Sequence, residues 1–248
     1  MHTANVWTVF WVALGTALAT GLGALPFVII RNFSRKWLGI FNAAAAGLML
    51  GASVGLINQG VLVNLGLLTV GTIGGLFLII FLNNRLKQNH EAHHQLFHST
   101  GGLRGFLIVG VMTIHSFAEG IGIGVAYGGN VALGALIAVA IAIHNIPEGL
   151  AISLVMVPRG TSPVKASLWS VFSSLPQPLM AVPAYLFVLI FHPFLPLGLG
   201  LAAGAMLWMV FSELVPEALQ DTDHNTVGIV VTLALAAMIA LQVLIQPF

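Results

Sequence analysis

Two short segments of this sequence carry nearly the same residues in the same order. Residues 115–120 read HSFAEG, and residues 144–149, which begin 29 positions later, read HNIPEG. In each segment a glutamate follows the histidine by four residues, so a helix would place the imidazole and the carboxylate on one face, one turn apart. Two such helices side by side would direct two nitrogens and two oxygens at one point. The pattern predicts a metal site formed by His115, Glu119, His144 and Glu148.

The composition indicates how these residues must be positioned. Hydrophobic residues make up 58% of the 248 residues, charged residues make up 6%, and the mean hydropathy is +1.01. These values predict an all-α integral membrane protein, with residues 1–248 forming a single transmembrane domain. The net charge of +1 gives no indication of a nucleic-acid partner. The absence of cysteine excludes disulfides and thiolate ligands.

Charges and clusters of Gly, Pro and Asn divide the apolar sequence into eight predicted transmembrane spans. They cover residues 6–30, 38–57, 61–82, 104–127, 132–157, 164–190, 197–219 and 227–245. All eight basic residues fall in or beside the loops after spans one, three and five: Arg31, Arg35, Lys36, Arg85, Lys87, Arg104, Arg159 and Lys165. The positive-inside rule therefore predicts that these loops are cytoplasmic and that both termini lie outside.

Acidic residues are distributed differently from the basic ones. Four of the seven lie within or near the ends of apolar spans, namely Glu119, Glu148, Glu213 and Glu217. An acidic side chain at the centre of a span costs about 2.5–3.5 kcal/mol on insertion scales, so such residues normally face the interior of the bundle. A proton, a histidinium or a bound metal cation would have to compensate them.

Small residues and one proline are expected to shape the helices. Glycines recur every four positions at Gly47, Gly51 and Gly55, at Gly71 and Gly75, and at Gly200 and Gly204. Such spacing permits close helix contact, either inside one bundle or across a dimer face. In span five, Pro147 lacks an N–H group and is expected to bend the helix beside the predicted metal site.

At these motifs the sequence resembles the ZIP (Zrt-, Irt-like protein) family of divalent-metal transporters, and specifically its prokaryotic GufA-like branch. The most specific elements are HSFAEG and HNIPEG, and SELVPEA at residues 212–218 supports them. The resemblance covers the whole chain. It implies an eight-helix fold of 3+2+3 type, in which spans one to three and six to eight are inverted repeats around spans four and five. It also implies a homodimer.

The resemblance assigns His115, Glu119, His144 and Glu148 to the primary transport site. In many relatives a second metal shares the glutamate of span five and uses three further positions, which here hold Ser116, Asn145 and Gln177. An amide in place of a carboxylate removes a charge, so we expect this second site to be weak or absent. Near the cytoplasmic end of span seven, Glu213 and Glu217 either line the exit path or reach toward the headgroups.

The predicted cytoplasmic loop at residues 84–103 is rich in histidine. It contains His90, His93, His94 and His98. Neutral imidazoles bind zinc and other transition metals, so this loop is either a metal-collecting site or a solvated segment.

The resulting prediction is a metal importer and not an enzyme. A divalent cation, most suitably zinc but also Fe²⁺, Mn²⁺, Co²⁺ or Cd²⁺, would bind the mid-membrane His/Glu site and leave to the cytoplasm by alternating access. No cofactor is expected, and the partners are the metal ion, the bilayer and a second copy of the chain. The family branch implies the bacterial cytoplasmic membrane. Two alternatives share the site: an intramembrane zinc hydrolase and a metal sensor that does not transport.

Overall fold

Helices form all the regular secondary structure in the part of the chain that the structure describes. This computed structural model describes residues 4–29, 34–94, 100–157 and 160–245. Its α-helices are α1 (Val6–Gly21), α2 (Pro26–Ile29), α3 (Arg35–Val63), α4 (Leu65–His94), α5 (Thr100–Gly129), α6 (Val131–Met156), α7 (Pro163–Ser174), α8 (Pro176–Ile190), α9 (Leu195–Met209), α10 (Val215–Asp221) and α11 (His224–Ile245). Short 3₁₀ turns lie at Leu22–Ala24 and His192–Phe194, and a π-helical segment covers Val210–Leu214.

Seven helical stretches among the described residues are long and apolar enough to cross a membrane. They are Val6–Ile29, Arg35–Val63, Leu65–Arg85, Val131–Met156, Pro163–Ile190, His192–Asp221 and His224–Leu244. They correspond to seven of the eight predicted spans, and the 30-residue helix α5 covers predicted span four. The all-helical membrane class predicted from composition is confirmed.

Prolines interrupt three of the spans that the sequence prediction gave as single ranges. A 3₁₀ turn precedes Pro26, α7 ends just before Pro176, and the π-helical segment precedes Pro216. Proline has no N–H to donate, and its ring collides with the carbonyl group of the residue four positions earlier. Helix α6 differs, because it continues through Pro147 from Val131 to Met156.

Glycines set the spacing inside a first helix set, which consists of α3, α4, α9, α10 and α11. A Cβ atom added to Gly75 of α4 would lie 2.0 Å from the carbonyl oxygen of Leu201 on α9. A Cβ atom added to Gly47 of α3 would lie 2.4 Å from the carbonyl oxygen of Val231 on α11. The repeated glycines therefore bring backbones of the same chain into direct contact.

A second helix set, consisting of α1, α5, α6, α7 and α8, is joined in the same way. A Cβ atom on Gly124 of α5 would lie 2.1 Å from the carbonyl oxygen of Ala181 on α8. A Cβ atom on Gly149 of α6 would lie 1.7 Å from the carbonyl oxygen of Thr20 on α1. Gly149 is the last residue of HNIPEG, so the motif also fixes how closely α1 approaches α6.

Side chains, rather than backbones, meet where α5 of the second set packs on α9 of the first. A Cβ atom added to Gly122 of α5 would lie 3.5 Å from the Cβ of Ala202 on α9, which is an ordinary contact distance. Gly198 of α9 faces the side-chain carbons of Val125. The two helix sets are thus each held by backbone contacts, and α5 meets α9 through an apolar side-chain interface.

The end of α10 lies beside the start of α3. Arg35 Nη1 is 3.9 Å from Asp221 Oδ1. Asp223 then caps α11, since its carboxylate accepts hydrogen bonds from the hydroxyl (2.7 Å) and the backbone N–H (3.0 Å) of Thr226. These hydrogen bonds hold the pKa of Asp223 below its usual range, and the one from the Thr226 hydroxyl contributes most. The start of α3 and the end of α10 therefore lie at the same end of the bundle.

The glycine contacts predict a sharp difference between two neighbouring positions on α4. Gly75→Ala is expected to destabilise the protein by about 1–3 kcal/mol, because the new methyl group would collide with backbone. Gly74 has nothing within 4 Å of an added Cβ, so Gly74→Ala should be neutral or slightly stabilising. Thermal unfolding of the two purified variants measures this. Equal melting temperatures would contradict the close α4–α9 contact.

Candidate metal centre

Four side chains from α5 and α6 meet in the interior of the second helix set. One ligand atom from each of His115, Glu119, His144 and Glu148 lies within 4.8 Å of all the others. The four residues are between 0% and 2% exposed. The structure therefore brings together the two histidines and two glutamates that the repeated motif singles out.

The shortest contacts in this cluster cross from one helix to the other. Glu119 Oε1 lies 2.5 Å from His144 Nε2, and Glu148 Oε1 lies 2.8 Å from His115 Nε2. The distances within each helix are longer, 3.5 Å from His115 to Glu119 and 3.8 Å from His144 to Glu148. Each histidine is thus paired with the glutamate of the other motif.

The hydrogen-bonding state of these atoms fits a cation between them. The Nδ1 of His144 lies 3.2 Å from the carbonyl oxygen of Ala140 and can only donate to it, which in a neutral imidazole leaves a lone pair on Nε2. His115 Nε2 and both carboxylate oxygens of Glu148 are buried without a hydrogen-bond partner despite the short distance between them. Buried acceptors without a donor are costly, and a bound cation removes that cost.

The types of ligand atom limit which cations could bind at this centre. Two imidazole nitrogens and two carboxylate oxygens suit a divalent transition metal, and zinc accepts such a set in four-coordinate geometry. Among the described residues, the ion pair formed by an arginine or lysine joins Arg35 to Asp221 at the end of the bundle, away from this cluster. In the part of the chain that the structure describes, histidines are the chargeable basic groups in contact with Glu119 and Glu148.

The predicted second-site positions form hydrogen bonds with each other and with Glu119. The Nε2 of Gln177 donates to Glu119 Oε2, while Gln177 Oε1 accepts from Asn145 at 3.2 Å and from the hydroxyl of Thr16 at 2.7 Å. The hydroxyl oxygen of Ser116 lies 3.5 Å from the hydroxyl oxygen of Ser174. The glutamate that Gln177 contacts is Glu119 of α5.

Sequence reasoning did not identify Thr16, Thr20 and Ser174 as neighbours of the centre. Asn145 Nδ2 donates to the carbonyl oxygen of Thr16 at 2.8 Å, and the hydroxyls of Thr20 and Ser174 are 2.8 Å apart. The available signal was the spacing of the two threonines, four residues apart in a largely apolar span. Helices α1 and α7 therefore supply polar groups beside the centre.

Glu217 lies on α10 of the first helix set, and Glu213 lies in the π-helical segment just before α10. Glu213 approaches the ring nitrogen of His115 that faces away from the centre. Glu213 Oε2 is 3.9 Å from His115 Nδ1, and Glu213 Oε1 accepts a hydrogen bond from Asn83 at 3.2 Å. Glu217 accepts from Asn42 at 3.3 Å. Glu213 belongs to the π-helical segment, a local geometry that is frequent at functional sites. Neither asparagine was identified from the sequence.

The histidines predicted in the loop at residues 84–103 are only partly described. The backbone of α4 continues past residue 82, where predicted span three ends, and includes His90, His93 and His94. His98 lies outside the described residues.

The fold and this cluster define a multi-pass helical membrane protein with a buried set of metal-ligand side chains. Residues 82–245 match the family described as ZIP Zinc transporter. The chain belongs to that family, as the two motifs indicated.

Proteins similar to this chain include one from a plant and two from bacteria. "Putative zinc transporter At3g08650" of Arabidopsis thaliana is 42% identical over 247 residues, which are 98% of this chain and 40% of that protein. The zinc transporter GufA of Myxococcus xanthus is 30% identical, over 81% of this chain and 84% of its own length. The zinc transporter ZIPB of Bordetella bronchiseptica is 31% identical, over 90% and 77%. This chain thus spans less than half of the plant relative.

Proposed function

We propose that this chain carries divalent zinc into the cytoplasm through the His115, Glu119, His144 and Glu148 centre by alternating access. The observation that supports it most directly is the set of four buried ligand atoms within 4.8 Å of one another in a membrane-spanning bundle. Family membership and the names of three relatives agree with a transporter of zinc. Fe²⁺, Mn²⁺, Co²⁺ and Cd²⁺ accept the same ligands and are further candidate substrates.

We infer an eight-span architecture in which spans one to three and six to eight are inverted repeats. The glycine contacts support this inference, because they occur in pairs that such symmetry relates. Contact of α3 with α11 corresponds to contact of α9 with α4, and contact of α5 with α8 corresponds to contact of α6 with α1. A homodimer is part of the same proposal and rests on the resemblance to the family.

The division into two helix sets supports a route for the ion. All four proposed ligands belong to the second set, whereas Glu213, Asn83, Glu217 and Asn42 belong to the first. Movement of the second set along the side-chain interface would expose the centre to one face of the membrane at a time. We propose that Glu213 and Glu217 receive the ion on the cytoplasmic side.

Orientation follows from the distribution of charge. We propose that the chain lies in a bacterial cytoplasmic membrane with both termini outside, as the positive-inside rule predicts. The contact between Arg35, the first residue of α3, and Asp221, the last residue of α10, is consistent with this orientation, since it requires both helix ends to lie on the same face of the membrane. The histidine-rich segment at 84–103 would then face the cytoplasm and collect metal there.

Removing one ligand should abolish transport. His144→Ala and Glu148→Ala are each expected to lower Zn²⁺ uptake into proteoliposomes by about 100-fold or more, because loss of even the outer partners of metal ligands costs about 10- to 100-fold. His192→Ala is the matched control, since His192 is exposed in a 3₁₀ turn. Flux retained in both ligand variants would refute the proposed site, and tight binding without flux in the native chain would point to a sensor or a hydrolase.

The proposed exit path makes a separate prediction. Glu213→Gln should lower the maximal rate of zinc uptake severalfold while the zinc affinity of the purified protein changes little, because the carboxylate lies beyond His115. Its exposed neighbour Ser212 is the control, and Ser212→Ala should transport normally. An unchanged rate in Glu213→Gln would remove this residue from the route.

The cysteine-free sequence allows a direct test of orientation. His192→Cys should react with a membrane-impermeant maleimide added to intact cells, because the turn before α9 is predicted to lie outside. Asn225→Cys, in the first turn of α11, should react only after the membrane is opened. The reverse pattern would invert the proposed orientation.

A further inference from the structure

Helix α7 turns large apolar side chains outward and small side chains inward. Its buried face consists of one alanine and three serines, whereas Leu168, Trp169 and Phe172 are between 44% and 64% exposed. Lys165 is also exposed and lies one turn before Trp169 on the same face. Because α7 is the first part of the membrane-spanning stretch Pro163–Ile190, this exposed face lies at membrane depth.

The four exposed side chains of α7 line a groove with a volume of about 310 Å³. The rings of Trp169 and Phe172 pack edge to face inside it, with their centroids 5.6 Å apart. At 1.5 Å per residue, the groove extends about 10 Å along the helix from Lys165 to Phe172. It is therefore charged at the end nearest the start of the span and apolar toward the membrane interior.

The charge of Lys165 is not neutralised within the part of the chain that the structure describes. The ion pairs there join Arg35 to Asp221 and glutamates to histidines, and none of them includes Lys165. The first turn of α7 contains no acidic residue, so the positive end of the helix dipole adds to the field of the ammonium group. A negatively charged group at the start of this span would be attracted by both.

We propose that this groove binds an anionic phospholipid, with the phosphate at Lys165 and an acyl chain along Leu168, Trp169 and Phe172. A phospholipid carries phosphate and hydrocarbon in one molecule, in the same order from the membrane surface inward as the two ends of the groove. Tryptophan near the end of a span is typical of the headgroup region. The inference goes beyond the proposed function and does not depend on it, since lipid binding requires neither a metal ion nor transport.

Two variants of the full-length protein test the charged end of the groove. Lys165→Gln removes the ammonium group, whereas Lys165→Arg keeps a cation that binds phosphate. The matched control is Lys36→Gln. Lys36 is likewise exposed beside an exposed tryptophan, Trp37, in the first turn of α3, but it already interacts electrostatically with Asp223.

The readout is quenching of Trp169 fluorescence in phosphatidylcholine vesicles, to which either phosphatidylglycerol or phosphatidylcholine with brominated acyl chains is added. Subtracting the signal of the matching Trp169→Phe protein isolates Trp169 from the other tryptophans. In the native chain and Lys36→Gln, brominated phosphatidylglycerol should quench at an about fivefold lower mole fraction, which corresponds to the about 1 kcal/mol that one lysine contributes near an anionic surface. Lys165→Gln should lose this preference and Lys165→Arg should keep it.

Equal quenching by the two lipids in the native chain, or a preference that persists in Lys165→Gln, would overturn the inference. Loss of the preference on addition of soluble glycerol phosphate would also overturn it, because the groove would then bind an anion without a lipid. Absence of any quenching of Trp169 would show that another surface, such as a second copy of the chain, covers the groove in place of a lipid.

Discussion

Two carboxylates buried in a membrane-spanning bundle are the constraint that organises this protein. Among the described residues, Glu119 and Glu148 are in contact with histidines and with one amide, and with no lysine or arginine. Such charges are costly to bury unless a cation or donors meet them. The histidine nitrogens and the hydrogen-bond donors on α1 and α8 surround these two carboxylates. The close contact of α1 with α6 holds the donors of α1 beside them. A divalent cation would balance this buried charge, which is the physical basis of the proposed metal site.

The periodicity of an α-helix explains why the four proposed ligands could be predicted. His115 and Glu119 must share a face because they are four residues apart, and the second motif repeats this on the next helix. Short connections make consecutive helices neighbours, so the meeting of the two motifs needed no long-range information. The membrane class followed equally directly, from composition and span length.

The partners of these ligands could not be predicted in the same way. Thr16 and Gln177 are 161 positions apart, and Asn83 and Glu213 are 130 apart. Their contact depends on the packing of distant helices, and that packing depends on where glycines let backbones touch. The repeated glycines of α3 left two readings open in the sequence, a dimer face or a contact within one bundle, and the structure places α11 of the same chain against them. The spacing of residues in the sequence did not indicate the π-helical segment that carries Glu213.

The antiparallel crossing of α5 and α6 gives the centre an approximate two-fold symmetry. Glu119 with His144 forms one half and Glu148 with His115 forms the other. In the proposed transporter, an ion that shifts from one half to the other would exchange one imidazole and one carboxylate for an equivalent pair, so the centre by itself would offer similar escape barriers toward both faces of the membrane. An acidic group on one side only, such as Glu213, would change the rate of exchange on that side but not the direction of net flux. The centre would then act as a reversible binding step, and the concentration difference of the ion would set the direction.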